Sequence, residues 1–80
     1  MIRHTALEKT ELHRLFRTKQ LTLGGNRTLR IYGRLDCRAG KRMKAENRVF
    51  FADESEALMN GYRPCAVCLP ARYREWRRSQ

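Results

Sequence analysis

The sequence predicts a small α+β domain: a short antiparallel sheet flanked by helices and stapled by zinc. Three observations point there. Leu29, Ile31, Gly33 and Leu35 alternate with Arg30, Tyr32 and Arg34, the period of a strand with one buried face. Asp53-Glu54-Ser55-Glu56 reads as a helix start, and Gly61 reads as its stop. A chain of 80 residues buries too little apolar surface to be secure on its core alone, and Cys65-Ala66-Val67-Cys68 supplies half of a metal staple.

Taken in order, Thr5-Ala6-Leu7-Glu8 has the form of a capping box ahead of a helix from about Ala6 to Arg17. That helix gathers Leu12, Leu15 and Phe16 on one side. Leu21-Thr22-Leu23 begins a strand, and Gly24-Gly25-Asn26 offers residues tolerant of positive φ, so a turn to the next strand is expected there. After the alternating segment, Arg48-Val49-Phe50-Phe51-Ala52 is an apolar run of strand length. Asp53 is the expected N-cap of the next helix, with Glu54 and Glu56 at the positive end of its dipole. Pro70 suits the first turn of a final helix, where Leu69, Tyr73 and Trp76 form one apolar stripe expected to pack on the sheet.

Charge narrows the function. Lys and Arg total 18 against 8 acids, a net charge of +10. Residues 27–48 hold eight basic and two acidic residues, whereas residues 49–62 hold three acids and no base. Such a band suits a polyanion, whose condensed counterions are released on contact. A plainly solvated surface is the bland alternative. No apolar stretch approaches the ~20 residues of a membrane span, and the basic band does not fall on an amphipathic helix, so no membrane partner is expected. The charged start "MIRHTALEKTELHRLF" has no secretory apolar run, and the expected location is a reducing cytoplasm. There, a CxxC is metal or redox chemistry rather than half of a disulfide frame.

A CxxC at a turn lets two sulfurs point at one tetrahedral centre, with Zn–S distances of ~2.3 Å. Cys37, 28 positions before Cys65, is the expected third thiolate, brought from the end of the alternating strand. A redox CxxC would open a helix after a strand, and Gly61 to Pro64 is a helix stop and loop instead. His4, in a loop-like segment, leads the candidates for a fourth ligand. An open position follows it, and then His13 or Asp36. No small-molecule cofactor is implied.

"DCRAGKRMKAENRVFFADESEALMNGYRPCAVCLP", Asp36 to Pro70, resembles the N-terminal metal-binding domains of the bacterial Ada type. The shared pattern is a cysteine, a basic stretch, Glu-Asn before an aromatic strand, Ser-Glu-Ala-Leu, Gly-aromatic-Arg-Pro and CxxC. Upstream, "GGNRTLRIYGRLDC" is similar to small stand-alone members of that group. The resemblance implies a zinc-holding core over residues 27–70 of a single domain spanning 1–80, with 71–80 as a basic helix or tail. In that family four cysteines hold zinc, and the first also takes a methyl group from a DNA phosphotriester. Cys65 and Cys68 match the last pair, and Cys37 matches the second with one extra residue before Glu46-Asn47. The first falls on Gly33, so the methyl acceptor is absent and repair activity does not carry over.

Three functions remain open at this point. The first is a non-enzymatic, weakly specific DNA or nucleic-acid binder whose phosphate contacts are Arg34, Arg38, Lys41, Arg42, Lys44 and Arg48. The second is a single-turnover alkyl acceptor or thiolate sensor using Cys37. The third is a zinc-stabilised protein-interaction module that presents Tyr73 and Trp76.

Overall fold

A computed structural model describes residues 1–37 and 43–80. Its centre is a five-stranded sheet in the order β1-β4-β2-β3-β5. The strands are β1 (Ile2–Arg3), β2 (Leu23–Asn26), β3 (Ile31–Arg34), β4 (Arg48–Phe51) and β5 (Arg63–Pro64). Among the described residues, three α-helices surround them: α1 (Lys9–Arg17), α2 (Glu54–Met59) and α3 (Pro70–Arg78). The expected α+β class holds. The sheet is mixed rather than wholly antiparallel, because β5 joins β3 in parallel with Tyr32 opposite Pro64.

Alternation along β4 divides the core between the two faces of the sheet. Val49 and Phe51 point one way, into a cluster with Tyr32, Ala57 and Tyr62. Phe50 points the other way, toward Leu12 of α1 and Leu21. Side-chain period 2 therefore gives one four-residue strand contacts in both halves of the core.

Several local expectations meet the structure unchanged. Asp53 caps α2, its Oδ1 accepting from the Glu56 N–H at 2.9 Å. Gly61 adopts φ +81°, the left-handed stop that glycine takes without Cβ strain. Pro70 opens α3 at its first turn.

Others shift. Thr5 makes no cap, because His4–Ala6 forms a 3-10 turn and α1 begins at Lys9 behind Glu8. Gly24 and Gly25 lie within β2, and the turn falls at residues 27–30. There Asn26 Oδ1 accepts from the N–H groups of Thr28 at 3.0 Å and Leu29 at 3.2 Å. Arg30, not a glycine, takes the positive φ of 58°. Gly25 is needed for closeness rather than for a turn: a Cβ there would stand 2.9 Å from Phe51 Cε2 and 3.1 Å from the Ile31 carbonyl. On α3, Leu69 at its N-cap packs on the first cluster, while Tyr73 and Trp76 are half-buried. The Arg63 guanidinium lies 5.2 Å from the Tyr73 ring and 6.0 Å from that of Trp76.

Candidate metal centre

The three cysteines meet beside β3. Cys37 follows that strand, its N–H donating to the Arg34 carbonyl at 3.1 Å. Cys65 follows β5, and its N–H donates to the Tyr32 carbonyl at 2.8 Å, which ties the CxxC loop to the same strand. The loop then closes on itself, with Leu69 N–H donating to the Cys65 carbonyl at 3.0 Å. Backbone bonds to one strand thus bring together thiols far apart in sequence. The three Sγ atoms lie within 4.8 Å of one another, and those of Cys37 and Cys65 are 3.8 Å apart. All three cysteines are free thiols, two of them buried.

Gly33 makes this approach possible. A Cβ on residue 33 would stand 2.6 Å from Cys68 Sγ and 3.1 Å from Cys65 Cβ. With hydrogen there, Cys68 Sγ settles over the β3 backbone and accepts from the Arg34 N–H at 3.3 Å. A backbone amide donating to sulfur favours the thiolate.

The thiols are electrically unequal. Burial works against ionising Cys65, but hydrogen bonds from the Cys68 and Val67 N–H groups, together with the Cys37 and Cys68 thiols, outweigh it and lower its pKa. Burial pushes Cys68 up to about 12, and the neighbouring Cys37 and Cys65 add to that rise against the Arg34 amide. Three negative sulfurs in so small a space need a cation among them. Three soft donors within tetrahedral reach suit a thiolate-bound metal such as zinc, so the donor set fits the ion the sequence implies.

Among the described residues, this cluster contains the three cysteines and no histidine or carboxylate. Residues 38–42 are Arg, Ala, Gly, Lys and Arg, which add none of those donors. His4 lies outside the cluster, stacked at a tilt on Phe50 with ring centroids 5.5 Å apart. His13 sits on α1, and Asp36 is held by Arg34 at 2.9 Å.

A cleft of about 740 Å3 occupies the α1 face of the sheet. Gly33, Cys37 and Cys65 line it, and so do His4, Leu12 and Phe50. Among the described residues, His4 Nδ1 is buried without a hydrogen-bond partner. Of the expected nucleic-acid contacts, Arg34 and Arg48 border this cleft, and Lys44 is exposed just before the 3-10 turn Ala45–Asn47. Arg34 is paired with Asp36, and Arg48 Nη2 donates to the Met43 carbonyl at 3.5 Å. Arg38, Lys41 and Arg42 lie outside the described residues.

Sequence reasoning found the three sulfurs but missed two supporting features: the Arg34 amide and the close approach over Gly33. The signal available was a glycine inside a strand pattern, which often marks a close backbone contact.

The family model for the metal binding domain of Ada matches residues 12–71, three quarters of the chain. That span includes Gly33 and all three cysteines but not His4. The curated proteins contain no match. Among solved structures, the chain is similar to one described as the crystal structure of the methylated N-ADA/DNA complex. Identity is 30%, 80% of this chain is covered and the TM-score is 0.58. The chain spans about half, 52%, of that protein's length.

Proposed function

The chain belongs to the family of the metal-binding domain of Ada, and on that premise we propose that it is a zinc-binding module that holds nucleic acid through phosphate contacts. Cys37, Cys65 and Cys68 would hold the zinc, and Cys37 and Cys65 line the cleft that His4 also borders. The observation carrying this reading is the convergence of three sulfurs within 4.8 Å beside a strand whose residue 33 has no side chain. When bound, zinc supplies the positive charge that keeps the sulfurs as thiolates and cross-links β3 to the loop before α3. The chain's own part is to present them: the Arg34 and Tyr32 backbone groups fix Cys68 and Cys65, and burial shields the centre from solvent.

The module is non-enzymatic in this reading. Gly33 stands where the family pattern places its reactive cysteine, and a glycine has neither nucleophile nor metal donor. The charge that remains is a binding property. A net charge of +10, with eight basic and two acidic residues in the band 27–48, and a structural relative described as a DNA complex support a polyanion partner. Arg34, Arg38, Lys41, Arg42, Lys44 and Arg48 are the proposed phosphate contacts. Such contacts set position without reading sequence, so binding is weakly specific.

Fluorescence anisotropy with a labelled duplex tests this. Six phosphate contacts imply that log K falls with log salt at a slope of about −5, roughly a thousandfold loss between about 50 and 200 mM. An affinity unmoved by salt over that range refutes the electrostatic reading.

A further inference from the structure

Helix α3 lies almost wholly beyond the span that the family model matches, which ends at residue 71. It carries four arginines and no lysine, with Glu75 as its one acid. Arg72 takes up that acid at 3.5 Å and also reaches Glu54 of α2 at 3.3 Å. Among the described residues, Arg74, Arg77 and Arg78 have no carboxylate partner, and all three are exposed. No residue of α3 lines the cleft that Arg34 and Arg48 border. We infer that Arg74, Arg77 and Arg78 form a second phosphate-binding surface, which holds a nucleic-acid backbone apart from the band at residues 27–48. The inference rests on the reading of the chain as a nucleic-acid binder and adds a site to it.

The helix is anchored through its aromatic side. Leu69 at its N-cap packs on the core, and the Tyr73 and Trp76 rings stack 6.1 Å apart beside the Arg63 guanidinium. Arg63 Nη1 donates to the Pro64 carbonyl at 3.2 Å, which ties this anchor to β5. Spacings of three and four residues then set Arg74 beside Arg77 and Arg78 on one face. Like charges so placed repel one another in the free protein. The helix dipole favours Arg77 and Arg78 in the last turn, but it gives no reason for Arg74 beside them. A polyanion laid on the face turns that repulsion into attraction.

The residue types select phosphate. Guanidinium forks match phosphate oxygens two bonds at a time, which the point charge of lysine does not. Pro70 and Ala71 are the other residues on this face, so it offers a lipid surface no large apolar anchor.

Trp76, the chain's one tryptophan, precedes Arg77 and reports on this face directly. Acrylamide quenching of Trp76 in the full chain, with and without duplex DNA, is measured beside anisotropy of the labelled duplex across salt. Three added contacts steepen the slope of log K against log salt from about −5 to about −8. Combined Arg74→Gln, Arg77→Gln and Arg78→Gln should return the slope to about −5 and abolish protection of Trp76 by the duplex. Combined Arg3→Gln, Arg17→Gln and Lys19→Gln removes the same charge from other exposed positions and should leave both readouts unchanged. Circular dichroism checks the fold of each variant, and if the α3 variant is unfolded, the wild-type slope and quenching decide. A wild-type slope of about −5, with Trp76 quenched as freely as in the unbound chain, overturns the inference and leaves the first reading standing. Equal changes in the control variant overturn it too, because net charge alone would then explain them. Equal protection of Trp76 by polyglutamate also overturns it, in favour of an acidic protein partner. Duplex binding that salt does not weaken overturns both readings.

Discussion

Replacing Gly33 with alanine adds one methyl group at the point where the site is tightest. Its Cβ would stand 2.6 Å from Cys68 Sγ, whereas ordinary contact begins at 3.4 Å, so one of the two must move by about 0.8 Å. Cys65 Cβ at 3.1 Å closes off retreat on the other side. Metal–ligand distances tolerate only about 0.2 Å, so the displacement falls on the metal rather than on the fold. Losses of about 10- to 100-fold in affinity are typical when the support of a ligand is disturbed, and the same size is expected here. Gly33 is not in the left-handed region, so alanine meets no backbone strain. In the metal-free protein the same close contacts offset the about 0.4–1 kcal/mol expected from a less flexible unfolded chain, so no gain in stability is expected. Competition for zinc against a chromophoric chelator measures the first effect, and thermal unfolding with excess chelator measures the second. Unchanged zinc affinity in Gly33→Ala would refute the view that Cys68 depends on a bare backbone at residue 33.

Further expectations concern the frame around the site. Asp53→Ala removes the oxygen that caps α2 and should cost ~1 kcal/mol, seen as a fall in Tm of roughly 4–8 °C. Gly25→Ala should destabilise by about 1–3 kcal/mol, because fully buried Phe51 cannot yield to a Cβ at 2.9 Å. Gly24→Ala, whose Cβ would meet nothing closer than 3.7 Å, should be neutral or mildly stabilising when both glycine variants are compared by denaturant titration. Burial holds the phenols of Tyr32 and Tyr62 above the ordinary 10.0, and the Glu54 carboxylate adds to the rise at Tyr32. A raised folded-state pKa gives stability that is complete below pH 10 and is lost as pH climbs past it. Unfolding monitored from about pH 8 to 12 should show that loss, and Tyr32→Phe should lessen it.

Chemistry was more legible in the sequence than geometry. The cysteine trio was visible because metal ligation restricts residue type and spacing together, and the α2 boundaries were visible because Asp53 and Gly61 act on their immediate neighbours. The hairpin was misplaced by reading Gly24-Gly25-Asn26 as a turn, when both glycines lie in β2 and Gly25 answers to Phe51 and Val49 across the sheet. Asn26 does start the turn, through a side chain that satisfies two following amides, a local bond that a glycine pair conceals. Strand β5 is two residues long and ends in proline, so its parallel pairing with β3 leaves no period to detect. The cleft was out of reach because it is made by α1, β3 and β4 together, and its volume depends on how far α1 stands from the sheet. The aromatic stripe of α3 was found, but its partner, the Arg63 guanidinium, belongs to another element.

The claim on which the rest depends is that Cys37, Cys65 and Cys68 together hold one zinc ion. Native mass spectrometry of the purified full chain tests it directly, set beside Cys37→Ser, Cys65→Ser and Cys68→Ser. One zinc per wild-type chain is expected, with loss of metal or of the fold in each serine variant. A wild-type chain without zinc, or a Cys37→Ser variant that keeps a full complement of it, would contradict the three-sulfur centre.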